Sequence, residues 1–156
     1  MSSDPFRPQK PSHITSVTEG LCALTATEAV ARLRAGEVTA AELVEASIAR
    51  IEEVDPKVNA LPIPCFDRAR DMARKLRPED HADNPKSLCG LPIAIKDYND
   101  VGGVRTTYGS PIFAQSVAAQ SDATVRQLER NGAIPMAKSN VPEWAGGNTF
   151  NPVFGA

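Results

Sequence analysis

Within residues 90–110, GLPIAIKDYNDVGGVRTTYGS, a short apolar run delivers one lysine, Lys96, directly into a loop rich in glycine and threonine. Residues 91–95 read as a buried strand, and Gly102, Gly103 and Gly109 permit a winding loop that passes close to a ligand. Ser121 or Asp122 then caps a helix that runs to about residue 131, with Val125 and Leu128 facing inward and Gly132 ending it. Residues 133–137 form a second buried strand, ending at Lys138. Strand, loop, helix and strand in that order predict a parallel crossover unit, and hence an α/β fold.

The chain before that unit reads as helical. Residues 1–20 hold Pro5, Pro8 and Pro11 among polar residues and predict a flexible N-terminal arm, leaving residues 21–156 as the folded part. Thr25 and Glu28 form a capping-box pair and Gly36 suits a helix C-terminus, so a helix is predicted over 26–35. The pair recurs at Thr39 and Glu42. Leu43, Val44, Ile48, Ile51 and Val54 then form an apolar stripe over 40–54, expected to stop before Pro56. Residues 59–66, broken by Pro62 and Pro64, read as an extended, edge-like segment, followed by a short helix over 67–77. Residues 77–86 read as a polar loop in which His81 is solvated; His13 falls in the arm. Residues 148–156 read as a segment that passes under the core toward a partner strand.

Composition bounds the partners. With 156 residues, 42% hydrophobic and 23% charged, the chain can bury a real core. A net charge of -2 and a pI near 5.7 give no electrostatic reason for nucleic acid or an anionic membrane as a partner. Cys22, Cys65 and Cys89 are odd in number and too widely spaced for a zinc or redox site, so buried or free thiols and no metal are expected. No signal-peptide core and no apolar run of membrane-spanning length occur, which makes the cytoplasm the default location.

Lys96 is the residue with most chemistry to offer. Burial at a strand end disfavours the ammonium and lowers the pKa, which makes Lys96 a candidate neutral base for a hydroxyl proton. The competing reading is a surface lysine paired with Asp97. Thr106, Thr107 and Ser110 either line a site or serve only as turn-forming groups. Lys138, Asn140, Glu143 and Trp144 follow the second strand, where α/β proteins often place ligand contacts. Trp144, with Ala145, Gly146 and Gly147, suits the wall of a pocket for an apolar acyl group. A core role is the preferred reading for this single tryptophan. Ser139 lacks a glycine setting and is not a nucleophile candidate; Asp122 reads as a helix cap.

Several segments together resemble the amidase signature hydrolases: GLPIAIKD, then TTYGS at 106–110, then DATVRQLERNGAIPMAKSNVPEW at 122–144, with weaker support from the paired capped helices and VNA at 58–60. The resemblance covers nearly everything from Thr25 onward. It implies the N-terminal part of an α/β/α fold with a mixed central sheet. It also implies cleavage of carboxamide C–N bonds by a serine, a cis-serine and a lysine, without a cofactor. Lys96 matches the family lysine, which relays a proton through the cis-serine to activate the nucleophile. In the family both serines and the oxyanion-hole donors lie in a GGSSGGS-like segment, and these 156 residues contain none.

The expectation is therefore a small-molecule amidase that is inactive as the isolated chain. A C-terminal remainder of the enzyme, on a separate or missing polypeptide, or a second copy, would complete it. A non-catalytic interaction module with an unfinished sheet edge is the alternative from a different class. A third is an amidotransferase component that works on charged tRNA, against which the acidic pI speaks weakly. Aryl, aliphatic and urea-like amides all remain open as substrates.

Overall fold

The computed structural model describes residues 17–81, 83–147 and 150–156. Most of the expected arm, with His13, lies outside them. Its last residues are already helical: α1 spans Val17–Cys22 and packs on α3, where the Cys22 thiol donates to the Ala46 carbonyl at 3.3 Å.

Helix α2 is Ala26–Ala35 and helix α3 is Ala40–Val58, and both begin on complete capping boxes. The Thr25 hydroxyl accepts from the Glu28 N–H, and the Glu28 carboxylate accepts from the Thr25 N–H at 2.8 Å; Thr39 and Glu42 repeat the arrangement. Two otherwise orphaned donors are thus satisfied at each start. Helix α3 does not stop before Pro56. The proline removes one donor only, in an exposed last turn, and Asn59 closes the helix with a left-handed φ of 51° and an N–H bond to the Asp55 carbonyl. The Asp55 carboxylate then accepts from the Ala60 and Leu61 N–H groups, which turns the chain outward.

Strand β1, Ile63–Pro64, is the edge segment that its prolines predict, and helix α4 follows at Phe66–Lys75, slightly earlier than expected. A single 3₁₀ turn at Pro78–His81 interrupts the polar loop, and His81 is half-buried against Gly132, not solvated. Strand β2 is Pro92–Lys96, helix α5 is Ala123–Arg130, and strand β3 is Ile134–Ser139.

The sheet has the order β1-β3-β2, with β2 parallel and β1 antiparallel to β3. The parallel β2–β3 pair is the one the crossover unit predicts, and the mixed sheet is the one the family resemblance implies. Pro135 stands in the central strand, where a proline costs a ladder donor. A bulge between Ile93 and Ala94 leaves Met136 out of the β2 register at that point, and the Met136 carbonyl accepts from the Cys65 N–H instead.

One core cluster joins α2, α3 and α4 to Ile134 and Met136; a second joins Ile63, Ile95, Val101, Val104 and Val125 on the side covered by the loop after β2. The turn into β2 depends on Gly90, which has a φ of +98° and would place a Cβ 2.5 Å from that of Ala40. No side chain fits between the start of α3 and this turn. No helix among the described residues is long and apolar enough to cross a membrane.

All three cysteines are free thiols. Cys65 sits between β1 and α4 and donates to the Pro135 carbonyl at 3.4 Å. Burial pushes its pKa up to about 11 from 9.0. The folded chain therefore keeps a proton that the unfolded chain loses between those values, so this thiol favours the fold below pH 9 and ceases to do so as the pH rises through 11. At pH 8 its thiolate fraction is about 100-fold below that of an ordinary cysteine. Alkylation followed by peptide mass spectrometry is expected to label Cys65 about 100-fold more slowly in the native than in the unfolded chain. Equal rates would refute the burial argument.

Candidate active site

The carboxyl ends of the parallel strands β2 and β3 carry the polar residues of interest. In the register, Ile63, Lys138 and Ile95 are cross-strand partners, as are Lys96 and Ser139. Partners share a face and neighbours along a strand oppose each other, so Lys138 points into the second core cluster and Lys96 points the other way.

The structure therefore divides the two strand-end lysines. Lys138 is fully buried. Its ammonium donates to Asp97 Oδ1 at 2.9 Å and to Thr106 Oγ1 at 2.7 Å. Burial holds it below the ordinary lysine range, against the opposing pull of Asp97. Lys96 is exposed, on the same face as the exposed Ala94, with its Nζ 4.6 Å from the centre of the Tyr98 ring. Neither reading of Lys96 from sequence describes this: within the chain it is not buried, and Asp97 pairs with Lys138 in its place.

Asp97 organises the loop that follows. It is completely buried, and its carboxylate accepts from the Thr107 hydroxyl at 2.5 Å, from the Thr107 N–H and from Lys138. The Asp97 N–H bonds to the Ser139 carbonyl, and the Asp97 carbonyl accepts from the Tyr108 N–H at 3.0 Å. The Thr107 hydroxyl accepts in turn from the Gly109 N–H. Every polar atom of the Asp97 side chain and backbone is thus paired, which is what buried charge requires. Gly109 has a φ of +66°, and a Cβ there would meet the Val141 carbonyl at 2.7 Å, so only glycine lets the loop cross β3's continuation this closely.

Of the residues singled out from sequence, Thr106, Thr107 and Ser110 are all buried beneath this loop. The Thr106 and Thr107 hydroxyls face Lys138 and Asp97, whereas Ser110 Oγ has no hydrogen-bond partner among the described residues. Trp144 is 54% exposed and is no core residue. It stacks on Tyr108, with ring centres 5.6 Å apart and planes at 21°, and Phe113 meets both rings edge-on. Gly146 and Gly147 lie on the exposed turn after it. Asp122 holds the N-cap position of α5, but its carboxylate accepts from the Asp100 N–H at 2.9 Å instead of capping.

Sequence reasoning missed Asp97 as a structural anion, Lys138 as its partner, and Asn151. Asn151 is buried; its amide donates to Asn140 Oδ1 and the Val141 carbonyl, and its oxygen accepts from the Val153 and Phe154 N–H groups. Asn59 then donates to the carbonyls of Phe154 and Ala156. Residues 150–156 thus fold back onto the end of α3, with Phe154 packed against the second core cluster. The available signal for the buried pair is the repetition of a strand ending in lysine, with an aspartate after only one of them. Among the described residues no cluster of side chains suits a metal ion.

This arrangement has counterparts. A family model, Amidase, matches residues 42–156. The chain is 33% identical over 133 residues to the A-type component of glutamyl-tRNA(Gln) amidotransferase from Carboxydothermus hydrogenoformans, covering 84% of this chain and 27% of that protein. It is 43% identical over 109 residues to a Mycobacterium bovis protein named "Putative amidase AmiB2", covering 69% and 23%. The native peptide amidase of Stenotrophomonas maltophilia superposes with a TM-score of 0.72 at 26% identity, over 85% of this chain and 29% of that one. The chain thus spans about a quarter of the length of the relatives it matches. A family match across most of the sequence, a matching fold, and GLPIAIKD at the carboxyl end of a parallel strand lead to one assignment: the chain belongs to the amidase signature family.

Proposed function

We propose that the polypeptide carrying this sequence hydrolyses carboxamide C–N bonds, with Lys96 as the base and both serines supplied from outside these 156 residues. The observation that carries the reading is the placement of Lys96. It stands on the open face at the carboxyl end of β2, with its amine free for a hydroxyl, and the next residue is locked by buried hydrogen bonds. A base must reach its proton donor in a fixed geometry, and a rigid Asp97 anchors the backbone from which Lys96 projects.

In this reading the covering polypeptide removes water from the Ala94 and Lys96 face, where Lys96 acts as the base. Lys96 takes the proton of the cis-serine, which takes that of the nucleophilic serine. The serine oxygen bonds to the carbonyl carbon, the C–N bond breaks, and the leaving nitrogen takes up the relayed proton; water then cleaves the acyl ester. The remainder of the fold, in preference to a second copy, is the completing partner, and the cytoplasm is the location. Trp144, Gly146 and Gly147 are assigned to substrate contact at the same strand ends.

The 33% identity to an amidotransferase component favours a second reading, in which ammonia released from glutamine passes to a charged tRNA. Amide hydrolysis measured beside glutamine-dependent transamidation of a misacylated tRNA separates the two. Ammonia release that is independent of tRNA supports the hydrolase; product only with tRNA overturns it.

A further inference from the structure

We propose that the Trp144–Tyr108 stack is a docking platform for a planar aromatic group of the amide substrate. The inference rests on the amide-cleavage reading for the identity of the ligand, but its readout does not need catalysis. Three observations support it.

The first is the backbone. Among the described residues only five that are not glycine have a positive φ, and three of them build this platform: Tyr108 at 54°, Trp144 at 54° and Ala145 at 57°. A bulky side chain in the left-handed region is strained, and the surrounding structure must hold it there. Here the holding bonds are visible. The Trp144 N–H donates to the Tyr108 carbonyl at 2.8 Å, and the Tyr108 N–H donates to the Asp97 carbonyl. Two backbone bonds therefore tie the tryptophan to the residue that follows Lys96.

The second is exposure. The strain does not serve to bury the indole, since Trp144 stays 54% exposed. Phe113 closes one side of the stack edge-on, at 5.2 Å from the Tyr108 ring centre and 5.4 Å from the Trp144 ring centre, and braces both rings. An offset pair with one face left open accepts a further ring by the same stacking that holds the pair.

The third is chemistry. The Tyr108 hydroxyl donates to Asp100 Oδ1 at 3.4 Å, so the platform presents ring faces, with the charged groups Asp100 and Glu143 at its edge. That surface favours flat, uncharged groups over flexible alkyl chains, which lose more rotamer freedom on a planar support.

Trp144 is the single tryptophan, so the chain reports on this site directly. With excitation at 295 nm (roughly the red edge, where tryptophan dominates over tyrosine), benzamide and hexanamide are titrated into the 156-residue chain. The expected result is a saturable change in emission with benzamide, at least about fivefold tighter than with hexanamide. Tyr108→Leu, which keeps bulk but removes the ring face, is expected to weaken benzamide about fivefold. Phe113→Leu serves as the second variant should Tyr108→Leu not fold, and is expected to weaken it in the same direction.

Equal binding of the two amides, no saturable change, or indifference to both variants overturns the platform. The same holds for a longer polypeptide in which the Trp144 emission is already shielded and no longer responds to benzamide, since another segment then occupies the face. The Lys96 reading stands or falls separately, on cleavage.

Discussion

Replacing Lys96 by alanine, in the polypeptide that carries both this sequence and the serines, is expected to lower amide cleavage by on the order of 10²–10⁴-fold, the range a positioned general base contributes. Stability is expected to move by less than about 0.5 kcal/mol, because the side chain is exposed and its amine lies over the Tyr98 ring at the surface. The pairing of the two results is what gives the experiment force. A loss of activity with an unchanged denaturation midpoint assigns the effect to chemistry and not to folding. Lys96→Arg is expected to be as inactive as the alanine variant, since a guanidinium keeps its charge and cannot accept the serine proton. Release of product amine is the measurement. Cleavage within a few-fold of the parent in either variant ends the assignment of Lys96 as the base.

The second large effect runs the other way, on stability. Asp97→Ala leaves the Lys138 ammonium buried with Thr106 as its one remaining hydrogen-bond partner, and Lys138→Ala leaves the Asp97 carboxylate without its cation. Breaking a buried pair from one side costs about 3–5 kcal/mol, because the survivor keeps its desolvation penalty and loses its compensation. Removing both charges together, as Asp97→Asn with Lys138→Met, is expected to cost less than the larger of the single changes. Denaturant melts of the parent, Asp97→Asn, Lys138→Met and the double variant form a closed cycle. Additive effects, or single losses below about 1 kcal/mol, would show that the pair does not act as a unit.

These two residues also show where sequence reading succeeds and where it stops. Both strands are legible, because short apolar runs between glycines suit little else, and both capped helices are legible, because Thr25, Glu28, Thr39 and Glu42 make their bonds within one turn. Local chemistry of that kind needs no knowledge of distant residues. The end of α3 is harder for a related reason: Pro56 argues for a stop, but the left-handed Asn59 and the Asp55 carboxylate together keep the chain helical to Val58. Position along the chain makes Asp122 a cap. The Asp100 N–H, brought close by the loop after β2, takes its carboxylate instead.

Strands β2 and β3 each carry a lysine at or next to the carboxyl end, and which lysine is buried is a question of register. Pairing of Ile95 with Lys138 turns the second amine inward under the loop, and the period of two then sends Lys96 outward to the open face. The aspartate after Lys96 is the local difference between them, and it does not tell which amine it meets. Trp144 poses the same problem in the other direction: an aromatic side chain of that size suits a core, but the left-handed turn that hangs it on Tyr108 leaves it half in water. Helices, strands, their order and the family thus follow from neighbours along the chain. The face each functional side chain occupies follows from partners 32 and 41 positions away, as Thr106 and Asp97 are from Lys138, because a buried charge goes where its counter-charge and hydrogen bonds can be assembled.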